Sequence, residues 1–175
     1  RLVVAGLLLA APGAHAADRG ASDPRPFRIY MIQWRGPTET DRGFTEYFGQ
    51  EDIPATFIIR NADRKAESIA DFVKEIRELR PDLVLLDVSM PRGGGLGALA
   101  LIRALDAPPH VAMLTASEES DDVMEAMRLG ALGYVLKGIG ASELVAVVQD
   151  LAQGRPHIAP SLAGRLLLAL RGGQK

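Results

Sequence analysis

The chain has 175 residues, a formal net charge of −2 and no cysteine; 47% of its residues are hydrophobic and 24% are charged. This length suits a single domain, and the composition is that of an ordinary globular protein. The near-neutral charge gives no reason to expect nucleic-acid or membrane-surface binding through bulk electrostatics, and the lack of cysteine excludes disulfides, thiolate metal sites, a cysteine nucleophile and a lipoprotein anchor.

Residues 1–16 carry the pattern of a secretory signal peptide. Arg1 precedes an apolar run, Leu2 to Ala11, and Ala14-His15-Ala16 supplies an A-x-A site, which predicts cleavage after Ala16. The run is too short to span a membrane, which needs ~20 residues. A buried N-terminal helix is the alternative. Because the sequence does not begin with Met, its start is expected to be incomplete, and residues 17–26, polar with two prolines, are predicted to be a flexible leader.

Two strands and two helices are predicted next. Apolar, β-rich runs predict strands over Phe27 to Trp34 and Ala55 to Arg60. The helix between them is indicated by Thr38 with Asp41, which resemble a capping box, and by a stripe at helical spacing made of Phe44, Tyr47 and Phe48. A second amphipathic helix, stopped by Pro81, has its apolar positions at Ile69, Phe72, Val73, Ile76 and Leu79.

Three more strands alternate with helices in the second half of the chain. The strands are predicted over Leu83 to Leu86, His110 to Leu114 and Gly133 to Leu136. A Gly-rich loop, Arg92 to Gly95, leads into a helix, and Ser142 is predicted to cap the last helix. The apolar positions of these helices are Leu99, Ile102 and Leu105, then Val123, Met124 and Met127, then Leu144, Val145, Val148 and Leu151.

This alternation is (βα)5 over residues 27–154, and it predicts a three-layer α/β domain. The run Leu83 to Leu86 is apolar on both faces, as in parallel sheets covered by helices. Right-handed crossovers and the flavodoxin-like strand order 2-1-3-4-5 are the common solution. Residues 155–175 are predicted to be a linker followed by a helical tail over Ser161 to Leu170.

Three polar residues follow the apolar runs of consecutive strands: Asp87, Thr115 and Lys137. Ligands of such sheets bind beyond the carboxyl ends of the strands, so these side chains should project into one crevice. A carboxylate there can attack phosphorus, while a lysine and a hydroxyl can stabilise phosphoryl oxygens. Any one of them alone would be an ordinary solvated strand end, but three at adjacent strand ends indicate a site.

The same segments resemble the response-regulator receiver family. The run from Leu83 to Pro91 is similar to the family's acceptor strand and loop, Leu114-Thr115-Ala116 to its switch hydroxyl segment, and Gly130 to Lys137 to its lysine strand with an aromatic switch position at Tyr134. The resemblance covers residues 81–170. Its tail, Pro160 to Leu170, is similar to the linker before a LuxR-type helix-turn-helix, a DNA-binding domain that this chain is expected to lack.

The resemblance implies a signalling module of two-component phosphorelays and not an enzyme. Asp87 would accept a phosphoryl group from a histidine kinase, Lys137 would pair with Asp87 and then with that group, Thr115 would move to bond it, and Tyr134 would swing inward. Asp87 and the backbone carbonyl of Ser89 would help to hold Mg²⁺. A homodimer stays open as a further partner, and neither nucleic acid nor a membrane span is expected for this chain.

One part of the family pattern is missing. The family needs two adjacent acidic residues at the end of the first strand, because Mg²⁺ prefers carboxylate ligands. The corresponding positions are Gln33 and Trp34, followed by Arg35. We therefore expect weak or absent Mg²⁺ binding. Arg35 as a substitute counter-ion for Asp87, and Trp34 as a platform for ligand stacking, are alternatives to an ordinary solvated arginine and a half-buried strand end.

Residues 1–84 resemble a second family, the ABC-transporter substrate-binding proteins. The segments that carry this resemblance are Phe27-Arg28-Ile29-Tyr30-Met31, Asp41-Arg42-Gly43-Phe44, and Phe72 to Arg77 running into Arg80-Pro81-Asp82-Leu83-Val84. A signal peptide suits that family and implies the periplasm, whereas a receiver implies the cytoplasm. Both families run βαβαβ up to this point, so a hybrid of residues 27–84 with 83–154 is expected to fold as one domain.

Two functions of different classes follow. The first is a receiver-like module with a compromised metal site, favoured by Asp87, Thr115 and Lys137. The second is an exported fragment of a solute-binding protein, favoured by the leader and by residues 27–84. A third interpretation is a chimera without a selected function. Such a chimera could be natural, engineered or a product of sequence assembly.

Overall fold

The computed structural model describes residues 25–36, 39–50, 53–88, 90, 94–116 and 122–172. The predicted signal peptide, nearly all of the predicted leader, and the capping residue Thr38 lie outside the described residues.

Within these residues, six parallel strands form one sheet in the order β2-β1-β3-β4-β5-β6. The predicted flavodoxin-like order 2-1-3-4-5 is confirmed, with a further strand beside β5. The strands are β1 (Phe27–Gln33), β2 (Ala55–Asn61), β3 (Leu83–Asp87), β4 (His110–Thr115), β5 (Gly133–Leu136) and β6 (His157–Ile158).

Helices cover both faces of the sheet. Side chains of α1 and α5 pack on one face, and those of α2, α3, α4 and α6 pack on the other. No helix in the described part of the chain is both long and apolar enough to cross a membrane. The helices are α1 (Glu39–Gln50), α2 (Ser68–Leu79), α3 (Gly94–Arg103), α4 (Val123–Arg128), α5 (Ala141–Ala152) and α6 (Pro160–Gly172).

The strands are apolar because both of their faces are buried. Successive side chains of a strand point to opposite faces, and in β3 Leu83 and Leu85 enter the cluster under α1 and α5 while Val84 and Leu86 enter the other. All four are fully buried. The continuous apolar run in the sequence therefore supplies alternate residues to the two hydrophobic cores, one on each face of the sheet.

Asp82, at the predicted junction between the two family-like segments, is hydrogen-bonded to the first strand of the sheet. This buried carboxylate accepts a hydrogen bond from the backbone N–H of Arg28 at 2.8 Å and from the guanidinium of Arg25 at 2.9 Å. The N–H of Asp82 in turn donates to the carbonyl of Arg28. Asp82, the residue just before β3, is therefore attached to Arg28 of β1 by two hydrogen bonds, one that it accepts and one that it donates.

Three local predictions need correction. The predicted linker contains β6, which pairs with β5 through Gly133–His157 and Tyr134–Ile158. The Gly-rich stretch is not a loop up to residue 95, because α3 begins at Gly94. Ser142 is not the N-cap of α5; Gly140 occupies that position without a side-chain hydrogen bond.

Candidate functional site

The register of the sheet brings the ends of β3, β4 and β5 to one edge. Asp87 of β3 pairs with Leu114, one residue before the end of β4, and Thr115 pairs with Leu136 at the end of β5. Lys137 follows Leu136 directly. Because all these strands are parallel, the sequence order of the polar residues becomes a spatial cluster at the carboxyl edge.

Asp87 and Lys137 lie in contact across the end of β4. The Lys137 ammonium donates to Oδ2 of Asp87 at 3.1 Å, and both side chains are largely buried, with 13% and 12% exposure. The backbone N–H of Lys137 also donates to the carbonyl of Thr115 at 2.7 Å, and Thr115 is itself buried. β4 therefore places Thr115 between the two charged residues of the pair.

The start of α3 closes against the backbone that carries Asp87. A Cβ added at Gly95 would lie 3.2 Å from the carbonyl oxygen of Asp87 and 3.3 Å from Cα of Val88. Only glycine permits this approach without displacing that backbone. The glycines that the sequence suggested as a loop thus include one that sets the helix close behind the site.

The end of β1 does not fit a Mg²⁺ site. Gln33 and Asp87 follow directly after the paired residues Ile32 and Leu86, so they occupy equivalent positions on neighbouring strands. Gln33 and Trp34 are buried at 2% and 6% exposure and carry no carboxylate. No cluster of three or more His, Cys, Asp or Glu able to hold a metal occurs among the described residues. Asp87 alone is a poor donor set for an ion that needs several oxygen ligands.

The other residues named from the sequence lie as follows. Tyr134 is fully buried and belongs to the core cluster on the α2–α3–α4 face, so its ring already occupies an inward position. Arg35 is exposed, and Asp87 forms an ion pair with Lys137. Ser89 lies outside the described residues.

A cavity of about 280 Å³ opens beside Lys137, between α1 and the turn that follows β5. Its walls are mainly apolar or small, from Gly43, Phe44, Lys137, Gly138, Ile139, Ala141 and Leu144. The cavity therefore reaches Lys137 from the side of the sheet that α1 and α5 cover.

A second polar cluster, which the sequence analysis missed, links β1, β2 and α2. The buried Tyr30 hydroxyl donates to Oε2 of Glu75 at 2.7 Å, and Nε of Arg60 donates to the same oxygen at 2.8 Å while its Nη2 contacts Oε1. The Arg60 hydrogen bond lowers the pKa of Glu75, and burial together with the Glu75 contact raises that of Tyr30 above its usual range. This cluster ties three elements together in the first half of the chain.

A flavodoxin-like parallel sheet with a buried Asp–Lys pair at its carboxyl edge defines an α/β domain of the receiver class. The family model of the response regulator receiver domain matches residues 58–149, just over half of the chain. The chain belongs to the response regulator receiver domain family. Because the match starts at Ile58, α2 and part of β2 fall inside it, and the prediction that the receiver resemblance begins at residue 81 is wrong.

Known proteins agree with this assignment. The chain is 35% identical over 117 residues to the response regulator GacA of Pseudomonas viridiflava, covering 67% of this chain and 53% of that protein. It is similar in fold to the receiver domain of NarL from Mycobacterium tuberculosis (TM-score 0.62, 26% identity, 75% of this chain and 100% of that one). A LuxR-family regulator from Aurantimonas sp. SI85-9A1 gives a TM-score of 0.68 at 24% identity, covering 83% and 99%. The chain spans about half the length of the curated relatives it matches.

Proposed function

We propose that this chain is a receiver module that accepts a phosphoryl group on Asp87 from a histidine kinase. The observation that carries the proposal is the buried contact of 3.1 Å between the Asp87 carboxylate and the Lys137 ammonium at the carboxyl edge of the sheet. A nucleophilic carboxylate with a fixed cation beside it is the arrangement that phosphoryl transfer to a side chain requires.

In the proposed reaction, one carboxylate oxygen of Asp87 attacks the phosphorus of a phosphohistidine. A P–O bond forms, the P–N bond to the donor imidazole breaks, and the freed nitrogen takes a proton from water. Lys137 neutralises the growing charge on the phosphoryl oxygens, and the Thr115 hydroxyl donates a hydrogen bond to one of them. Tyr134, which is already buried, keeps its inward position.

The reaction is proposed to be slow because the first strand lacks its acidic pair. Gln33 offers a neutral amide at the position equivalent to Asp87, Trp34 offers no oxygen ligand, and the carbonyl of Ser89 cannot replace two carboxylates. Among the described residues, Lys137 thus lies on one side of the proposed acceptor, and no cluster of carboxylates for a cation lies on the other. Loss of one such electrostatic element commonly lowers a rate by about 10²- to 10³-fold.

Intact-mass spectrometry after incubation with acetyl phosphate and Mg²⁺ tests both parts of this proposal. The unmodified chain should label at Asp87 slowly, and the double variant Gln33→Asp with Trp34→Asp should label faster. The Asp87→Asn variant, which differs at the acceptor by one atom, is the matched negative control. Fast labelling of the unmodified chain with no gain in the double variant would show that the acidic pair is not the defect, and equal labelling of Asp87→Asn would remove Asp87 as the acceptor.

An exported fragment of a solute-binding protein is the alternative, and the signal-like residues 1–16 favour it. The solute-binding origin of the residues before 58, and hence a chimeric chain, stays a prediction. Sequencing the mature N terminus separates the two functions, because a chain cut after Ala16 would leave the compartment of a cytoplasmic kinase. A homodimer is likewise proposed from the family resemblance alone, and sedimentation of the purified chain tests it.

A further inference from the structure

The cavity beside Lys137 combines apolar walls with a single charged residue. Phe44 of α1 and Leu144 of α5 line it and are buried, and Ile139 is a partly buried wall between them and Lys137 in the chain. Of the described residues that line the cavity, Lys137 alone is charged. Small-molecule sites typically have this composition, in which apolar surface supplies affinity and a few polar groups fix the orientation of the ligand.

Two glycines line this cavity although nothing in the surrounding packing requires glycine there. Gly43 and Gly138 are both exposed, which places them at the mouth of the cavity. Neither has a positive φ, and a Cβ added at either would meet no packed atom within 4 Å. Gly43 also lies inside α1, where glycine is less favourable than alanine. Because a larger side chain at these positions would narrow the entrance, the two glycines keep the cavity accessible.

The Asp87–Lys137 pair decides the charge of the ligand. The Lys137 ammonium donates to Oδ2 of Asp87 at 3.1 Å, and the two opposite charges cancel. Since an ammonium has three N–H donors, Lys137 can donate to a second acceptor next to Asp87. An anionic ligand there would face the Asp87 carboxylate, a cationic one would face Lys137, and either would lose its hydration among apolar walls. A neutral ligand with one hydrogen-bond acceptor avoids these costs.

The volume of the cavity limits the size of the ligand. An apolar cavity of about 150 Å³ holds benzene, so a cavity of about 280 Å³ has room for one ring and a few further atoms. We propose that this cavity binds small, neutral, largely apolar molecules that carry one carbonyl or ether oxygen. The oxygen accepts a hydrogen bond from Lys137, and the apolar body packs against Phe44, Ile139 and Leu144. Binding of this kind requires no phosphoryl transfer to Asp87.

Acetophenone, a ketone with one aromatic ring, is the probe. Titrated into the full chain with labelled Ile and Leu methyl groups, it should shift the NMR signals of Ile139 and Leu144 with a dissociation constant of about 1 mM, as expected for a ligand of so few atoms. Ethylbenzene keeps the ring and lacks the acceptor, so it should bind about tenfold more weakly, the scale of one hydrogen bond to a charged group. Benzoate should also bind more weakly than acetophenone, because it is an anion.

Two variants test the site itself. Gly43→Leu enlarges the side chain at the mouth and suits a helix better than glycine, so it should keep the fold and weaken acetophenone binding about tenfold, or abolish it, by filling a cavity of this size. Gly49→Leu is the matched control, because Gly49 lies in the same helix, is exposed and has equal room for a Cβ, but does not line the cavity. It should leave binding unchanged.

The double variant Asp87→Asn with Lys137→Met removes the donor without leaving an unpaired charge, and it should lower the affinity for acetophenone to that for ethylbenzene. The site is overturned if acetophenone shifts neither Ile139 nor Leu144, or binds Gly43→Leu as tightly as the unmodified chain. Ethylbenzene or benzoate binding as tightly as acetophenone would overturn the proposed class of ligand, as would undiminished acetophenone binding in the double variant.

Discussion

The two halves of the chain each contain a linked set of charged or hydroxyl side chains, but they place it differently. In the first half, Tyr30, Arg60 and Glu75 join β1, β2 and α2. In the second half, Asp87 and Lys137 meet at the carboxyl edge of the sheet. The first cluster mutually satisfies its donors and acceptors within the fold, whereas the second lies at the edge where parallel α/β sheets bind ligands.

The comparison separates a cluster that joins structural elements from the site proposed to carry chemistry. The end of β1 lies at the same edge as Asp87, yet it holds Gln33 and Trp34, both buried. An amide offers a divalent cation one neutral oxygen and an indole offers none, so the two side chains are a poor substitute for two carboxylates. The Tyr30–Arg60–Glu75 cluster therefore belongs to the scaffold, and the proposed acceptor pair lies at the end of β3 and directly after β5.

The largest loss of stability is expected from removing one partner of the Asp87–Lys137 pair. Lys137→Met keeps the length of the side chain but leaves the Asp87 carboxylate buried without its cation, and the removal of one partner of a buried pair typically costs about 3 kcal/mol. Urea unfolding at pH 7 measures the loss. Adding Asp87→Asn to Lys137→Met should recover most of it, because the unpaired charge is then gone. A loss below about 1 kcal/mol, the range of exposed pairs, would mean that Asp87 is solvated and that the pair is not buried in solution.

An intermediate effect is expected from the first cluster. Tyr30→Phe keeps the buried ring and removes only the hydroxyl that donates to Glu75, so it should cost about 1.5 kcal/mol, the scale of a hydrogen bond to a charged group. Phosphoryl labelling of Asp87 should not change, since this cluster lies outside the acceptor site. Tyr47→Phe, at a partly exposed position of α1, is the control and should stay within about 0.5 kcal/mol. A labelling defect in Tyr30→Phe would break the division between scaffold and site.

The sequence predicted that Asp87, Thr115 and Lys137 lie close together, but it did not predict the cluster in the first half of the chain. The reason is physical. Asp87, Thr115 and Lys137 each end an apolar strand, and parallel topology converts such ends into neighbours. The strand β5 and the sheet order follow from the same local pattern. No comparable sequence pattern marks the other cluster. Considered singly, Tyr30 is typical of a core aromatic residue, and Arg60 and Glu75 are typical of charged surface residues. Their contact depends on how α2 lies across β1 and β2.

The short strand β6 in the C-terminal segment could not be predicted from the sequence either. β6 has two residues, too few to display any periodicity, and the preceding Gly154 and Pro156 favour a linker. What makes it a strand is the open edge of β5, whose Tyr134 carbonyl accepts the Ala159 N–H. Similarly, Ser142 is a good N-cap by residue type, but α5 begins at Ala141, two residues earlier than a cap at Ser142 would place it, and Gly140 is the N-cap.

The smallest effect concerns the pH dependence of the first cluster. The hydrogen bond from Arg60 lowers the pKa of Glu75 in the folded chain, so the folded state holds this proton less tightly than the unfolded state does. The stabilisation is thus fully present above the unfolded pKa of about 4.3 and is lost as the pH falls through the lowered folded pKa. Glu75→Gln lacks this titration, so the difference in unfolding free energy between the unmodified chain and Glu75→Gln should shrink from pH 7 to pH 3. Urea unfolding of both proteins at several pH values measures it, with Glu46→Gln at an exposed position of α1 as the control. Because Glu75 is 29% exposed, we expect a change of about 1 kcal/mol or less. A difference that stays constant or grows toward pH 3 would mean that Arg60 does not favour the ionised form of Glu75, and the first cluster would then be held by the Tyr30 hydrogen bond alone.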